Sequence, residues 1–90
     1  MEKAYIYCRY TDYDGMSCIG FKNEHLAIAY CFKELKILTS GIVTKKPLQK
    51  EPKSIHLMNK MIKEYEFSLP EINRSIIHEL TYQNVIVGKD

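Results

Sequence analysis

The sequence predicts an α+β fold with the element order β-β-α-β-α-α-β. In this fold an N-terminal β-hairpin and short strands form a small, mainly antiparallel sheet packed with three helices. Residues 4–10 alternate with the period of two that is typical of strands, ahead of a turn. Two later segments repeat apolar residues at helical spacing behind a capping residue, and a capping box begins a third helix. Because 90 residues is short for two domains, we expect one globular domain over residues 1–90.

The first two strands are predicted to form a hairpin around a turn at residues 11–15. The first strand, residues 4–10, carries larger side chains on one side, namely Tyr5, Tyr7 and Arg9. The turn sequence Thr-Asp-Tyr-Asp-Gly suits a tight reversal, because Gly15 tolerates the positive φ that such a turn needs. Residues 16–21 then return as the second strand.

A hairpin centred near Tyr13 fixes which residues lie opposite each other. The expected pairs are Tyr5 with Phe21, Tyr7 with Ile19, and Cys8 with Cys18. One face of the hairpin is then aromatic and the other is built of smaller residues. The pattern predicts that one face packs on helices and the other is available, and it leaves open which face does which.

The first helix is predicted over residues 24–37, with Asn23 as its N-cap. Its apolar residues spread around much of the circumference, which is typical of a central buried helix. Gly41 suits the C-terminal left-handed position, and residues 42–44 are predicted as a short strand. An alternative ends the helix near Glu34 and pairs residues 36–39 with residues 42–45 as a second hairpin.

Residues 45–53 are predicted as an exposed loop, because two prolines interrupt a charged stretch. Ser54 begins a second helix with one apolar stripe: Ile55, Met58, Ile62 and Tyr65.

The third helix begins at a capping box, Ser68-Leu-Pro-Glu71, preceded by Phe67. Its buried stripe is expected to run to about Thr81 through Ile72, Ile76 and Leu80. Residues 85–87 are predicted as a terminal strand.

The chain carries a net charge of +2, and its lysines are concentrated in one segment. Residues 45–63 hold six lysines against one acid, Glu51, so this segment has a charge of +5 and the rest −3. We call these lysines the lysine strip: Lys45, Lys46, Lys50, Lys53, Lys60 and Lys63. Such a strip suits phosphates, an acidic protein surface or membrane headgroups, and it is equally typical of a solvated loop and helix face.

Three cysteines and no apolar leader at the N-terminus indicate reduced thiols and a cytoplasmic protein, in its own or a host cytoplasm. We expect the cysteines to act as small core residues, with no metal site, because the Cys and His spacings do not match a zinc motif. No stretch approaches the ~20 apolar residues of a membrane span.

Asp12 and Asp14 form a possible metal-binding pair in the turn. Residues 11–18 resemble locally the first motif of the DHH phosphoesterases, in which a strand leads into Asp-x-Asp-Gly and small residues. The resemblance implies that both carboxylates hold metal for phosphoester hydrolysis. It also implies a histidine two residues before the first aspartate, where this chain has Tyr10, and further Asp-rich and His-rich motifs in a longer domain. An ordinary hairpin turn is the competing interpretation.

The sequence offers no nucleophile with a matched base, and it has no phosphate-binding glycine loop. We therefore expect a binding protein that is not an enzyme and has no cofactor.

Protein recognition is the favoured function, with the chain acting as an inhibitor or regulator of another protein, for example a phage or mobile-element antagonist of a host defence system. The predicted contact residues are Tyr5, Tyr7, Arg9, Asp12, Tyr13 and Asp14. The alternative is nucleic-acid binding, with the lysine strip on phosphates and the hairpin tyrosines stacked on bases. A homodimer formed through a sheet edge stays open as well.

Overall fold

The computed structural model describes residues 2–40, 50–65, 72 and 74–82. Its elements are β1 (Glu2–Thr11), β2 (Gly15–Phe21), α1 (Glu24–Thr39), α2 (Ile55–Glu64) and β3 (Ile76–Tyr82). The three strands form an antiparallel sheet in the order β2-β1-β3. The predicted α+β class and antiparallel sheet are confirmed.

The hairpin has the predicted register. Tyr5 lies opposite Phe21, and Cys8 lies opposite Cys18. Gly15 has a φ of +72°, the left-handed conformation expected at this turn. The hydroxyl of Thr11 accepts a hydrogen bond from the backbone N–H of Asp14 at 3.0 Å, which closes the turn from within.

Both described helices begin at the predicted caps. The Asn23 side chain accepts from the N–H of His25 at 2.7 Å, and the Ser54 hydroxyl accepts from the N–H of Leu57 at 3.2 Å. Helix α1 continues to Thr39, so the alternative hairpin at residues 36–39 is wrong.

The predicted third helix is wrong over its C-terminal part, because residues 76–82 form strand β3. Ile76 lies opposite Cys8, and Leu80 lies opposite Ala4, in the middle strand β1. Residues four apart share one side of a helix, but they also share one face of a strand, so the apolar spacing fitted both structures. Ile72 is helical and buried, and the capping box at residues 68–71 lies outside the described residues.

The core lies between one face of the sheet and the two helices. Tyr7 and Ile77 project from the sheet into a buried cluster with residues of α1 and α2. The Tyr30 ring of α1 packs against the Tyr7 ring at 5.7 Å and against the Phe21 ring at 5.5 Å between centroids. Helix α1 therefore packs on the aromatic face of the hairpin.

Helix α2 also meets the outer edge of β3. The Asn59 side chain accepts from the N–H of Ile77 at 2.9 Å and donates to the carbonyl of Ile77 at 3.0 Å. In an antiparallel sheet both backbone groups of a residue point to the same side, so these two point away from β1. Asn59 thus occupies a position that a fourth strand would use.

The strands predicted at residues 42–44 and 85–87, and most of the loop at 45–53, lie outside the described residues. Within the described ranges, no helix is both long and apolar enough to cross a membrane.

Candidate functional site

The sheet has two unlike faces, and the structure settles which one the helices cover. Side chains of opposed residues share a face, and alternate residues of a strand point to opposite faces. Tyr7 and Ile77 are opposed and buried, so their side is the helix face. Burial of the large aromatic rings on this side removes more apolar area from water than burial of the smaller residues would.

Three predicted contact residues, Tyr5, Tyr7 and Arg9, lie on this helix face. Tyr7 is only 4% exposed, and its hydroxyl donates to the Ser75 hydroxyl at 3.4 Å. Burial raises the pKa of Tyr7 to about 12. Tyr5 is half-buried against the core, and the Arg9 guanidinium lies 3.6 Å from the Glu34 carboxylate of α1. These side chains hold the helices to the sheet.

The opposite side of the sheet, which we call the open face, is apolar and lies away from the core. None of its residues belongs to the buried cluster formed with the helices. Met16 is 63% exposed and Leu80 is 45% exposed, on the two outer strands. His78 adds an imidazole to this face. The open face consists of Ala4, Ile6, Cys8, Tyr10, Met16, Cys18, Gly20, Ile76, His78 and Leu80.

The two hairpin cysteines lie on the open face. Cys18 is exposed and Cys8 is half-buried, so the prediction that both are core residues is wrong, whereas Cys31 is buried as expected. Partial burial and the adjacent Cys18 thiol raise the pKa of the Cys8 thiol to about 11. The Cys8 thiol is therefore protonated at neutral pH.

The hairpin turn extends the open face at one end. The Tyr13 ring is 98% exposed. The Arg74 guanidinium pairs with the Asp12 carboxylate at 2.8 Å and lies 4.7 Å from the centre of the Tyr10 ring. Three predicted contact residues, Asp12, Tyr13 and Asp14, are thus exposed together beside the open face.

Within the described residues, the fold brings no third metal ligand to Asp12 and Asp14. The Asp12 carboxylate is already paired with Arg74. Among the residues that the structure describes, no group of three or more His, Cys, Asp or Glu side chains could hold a metal ion.

The lysine strip is only partly described, since Lys45 and Lys46 lie outside the described residues. Lys50, Lys53, Lys60 and Lys63 are exposed. Two of them, Lys50 and Lys60, line a shallow cavity of about 270 Å³ beside α2, together with Pro52, Leu57, Met61 and Glu64. The groove therefore combines two lysine ammonium groups with one carboxylate, that of Glu64.

Several residues of the site were not predicted from the sequence. The helical interpretation places Ile76 and Leu80 on a buried stripe, and no sequence pattern marks Arg74. The signal that favours a strand over residues 76–82 is the enrichment in β-forming residues, namely Ile76, Ile77, Thr81 and Tyr82.

Comparison with protein-family models, with curated proteins and with solved structures found no match to this chain.

Proposed function

We propose that this protein is a protein-binding module that acts as an inhibitor or regulator of its partner, and that its contact surface is the open face together with the hairpin turn. One observation carries the proposal: a largely apolar sheet face is half-buried along most of β1 and exposed on the two outer strands, with the helices packed on the other side. Contiguous exposed apolar surface on a small protein is typical of an interaction site.

The composition of this surface suits a protein partner with an apolar patch. Met16, Ile76 and Leu80 supply flexible or branched apolar contacts on the outer strands. Tyr10 and Tyr13 add aromatic rings with polar hydroxyl groups, and Arg74 adds a guanidinium, which are residue types enriched in protein interfaces. The apolar centre and the polar turn at one end resemble the usual division of an interface into core and rim.

The test compares two matched substitutions of exposed leucines. Leu80→Lys changes the open face, and Leu26→Lys changes the outer surface of α1, where Leu26 is 57% exposed. Tagged wild-type protein and both variants are incubated in a native lysate of the organism that encodes the chain, treated with nuclease and washed at high salt. We expect one stoichiometric protein to stay bound to the wild type and to Leu26→Lys, but not to Leu80→Lys.

Equal retention by Leu80→Lys would contradict the proposal. Loss of binding upon nuclease treatment, or with rising salt alone, would instead assign function to the lysine strip, because phosphate contacts weaken steeply as salt increases.

A further inference from the structure

We infer that strand β2 is a dimerisation edge, at which two copies of this chain pair antiparallel around a twofold axis at Cys18. The inference goes beyond the proposed function: it concerns backbone pairing along the edge of β2, although Met16, Cys18, Gly20 and Asp14 also belong to the proposed contact surface.

The two outer edges of the sheet differ in whether their outward backbone N–H and C=O groups have partners. At β3, the Asn59 side chain satisfies both outward backbone groups of Ile77. At β2, no described element pairs with the outer edge, and the five residues between Gly15 and Phe21 are all exposed. Proteins usually guard an edge strand with charges, proline or a bulge, because its free N–H and C=O groups are a template for another strand.

Strand β2 has none of these guarding residues. Its sequence, Gly-Met-Ser-Cys-Ile-Gly-Phe, contains no charged residue and no proline. Strand β3, by contrast, carries Glu79, which pairs with Lys3 at 3.3 Å. The unguarded edge is therefore the one that no described part of the chain covers.

The side chains of β2 complement a second copy of the same strand. With the twofold axis at Cys18, each larger residue lies opposite a smaller one of the partner: Met16 opposite Gly20, Ile19 opposite Ser17, and Phe21 opposite Gly15. Space at Gly20 is open, because no neighbouring atom lies within 4 Å of the point that a Cβ would occupy there. The partner's Met16 therefore has room to lie over Gly20.

Charge complementarity supports the same register. Just beyond the paired residues, Asp14 of one copy lies opposite Lys22 of the other, and the symmetry repeats this pair. Both residues are exposed, and the contacts among the described residues give neither of them an ion-pair partner. The two sheets then form one six-stranded sheet, with both helix layers on one side and both open faces on the other.

The experiment exchanges these charges and measures association by sedimentation velocity. Asp14→Lys places two lysines opposite each other at both symmetric positions, and Lys22→Asp places two aspartates there. Each variant alone is expected to weaken dimerisation about tenfold, because attraction is replaced by repulsion twice. When the two variants are mixed, every such pair is again opposite in charge, so heterodimers are expected to form in preference to either homodimer. Circular dichroism checks that both exposed substitutions leave the fold intact.

A wild-type protein that sediments as a monomer at high micromolar concentration would overturn the inference. A wild-type dimer whose affinity is unchanged in both variants, or a mixture without heterodimer preference, would also overturn it. Neither outcome affects the binding test with Leu80→Lys and Leu26→Lys, in which β2 is unchanged.

Discussion

The Asn59 side chain forms two hydrogen bonds with the backbone of Ile77 and thereby ties helix α2 to the outer edge of strand β3. Ile77 is also a core residue that lies opposite Tyr7 in the sheet. A single side chain therefore connects three features: the position of α2, the protection of one sheet edge and the packing of the core.

The first prediction concerns this connection. Asn59→Ala removes both hydrogen bonds and leaves the N–H and C=O of a buried residue without these partners, so we expect a loss of about 2–4 kcal/mol in the free energy of unfolding. Urea denaturation measures the change. Lys60→Ala, at the exposed adjacent position on the same helix, is the control and should stay within about 0.5 kcal/mol of the wild type. An equal effect of both substitutions would refute the role given to Asn59.

The second prediction concerns alkaline pH. Burial raises the pKa of Tyr7 from 10.0 to about 12, so the phenol ionises in the unfolded chain before it ionises in the folded protein. This contribution to stability is complete below pH 10 and is lost as the pH rises to about 12, with a slope of up to about 1.4 kcal/mol per pH unit. Burial likewise raises the pKa of Cys31 to about 12, which adds to the alkaline loss.

Denaturation at a series of alkaline pH values measures this slope. Tyr7→Phe should make it shallower, since the ionisable phenol is gone. Tyr13→Phe is the matched control, because the Tyr13 ring is 98% exposed, and it should keep the wild-type slope. A slope that is unchanged in Tyr7→Phe would show that Tyr7 is not the group responsible.

The third prediction compares two glycines of β2. Gly15→Ala forces a side chain into a φ of +72° and should cost about 1–2 kcal/mol of stability. Gly20→Ala places a methyl group in open space and should be nearly neutral in the monomer. Urea denaturation compares the two variants, and we expect a lower midpoint for Gly15→Ala than for Gly20→Ala. Similar midpoints would mean that the turn does not need its glycine.

The sequence predicted those parts of the fold that depend on nearby residues. The turn at Gly15 fixes the hairpin register, and the caps Asn23 and Ser54 fix the helix starts, because each interaction spans only a few positions. Strand β3 was missed because it forms by pairing with β1 more than sixty residues away, and the spacing of Ile76 and Leu80 fits a helix and a strand equally well.

The sequence likewise predicts only that part of the candidate site which depends on nearby residues. The turn residues Asp12, Tyr13 and Asp14 are exposed, as their turn-forming sequence indicates. The choice between the two faces of the hairpin depended on where the helices pack, which no local pattern determines. Tyr7 packs against Tyr30 of α1, and Arg9 pairs with Glu34 of the same helix. The exposed surface is therefore formed by the smaller residues of the open face.

Hydroxyl-radical footprinting of the captured complex tests the central claim most directly, because it reports which side chains a partner covers. With the free protein at equal concentration as the reference, we predict reduced modification of Met16, Ile76 and Leu80 on the open face. Leu26 and Ile37, exposed on α1, should be modified as in the free protein. Protection of the α1 residues with unchanged modification of the open face would contradict the account.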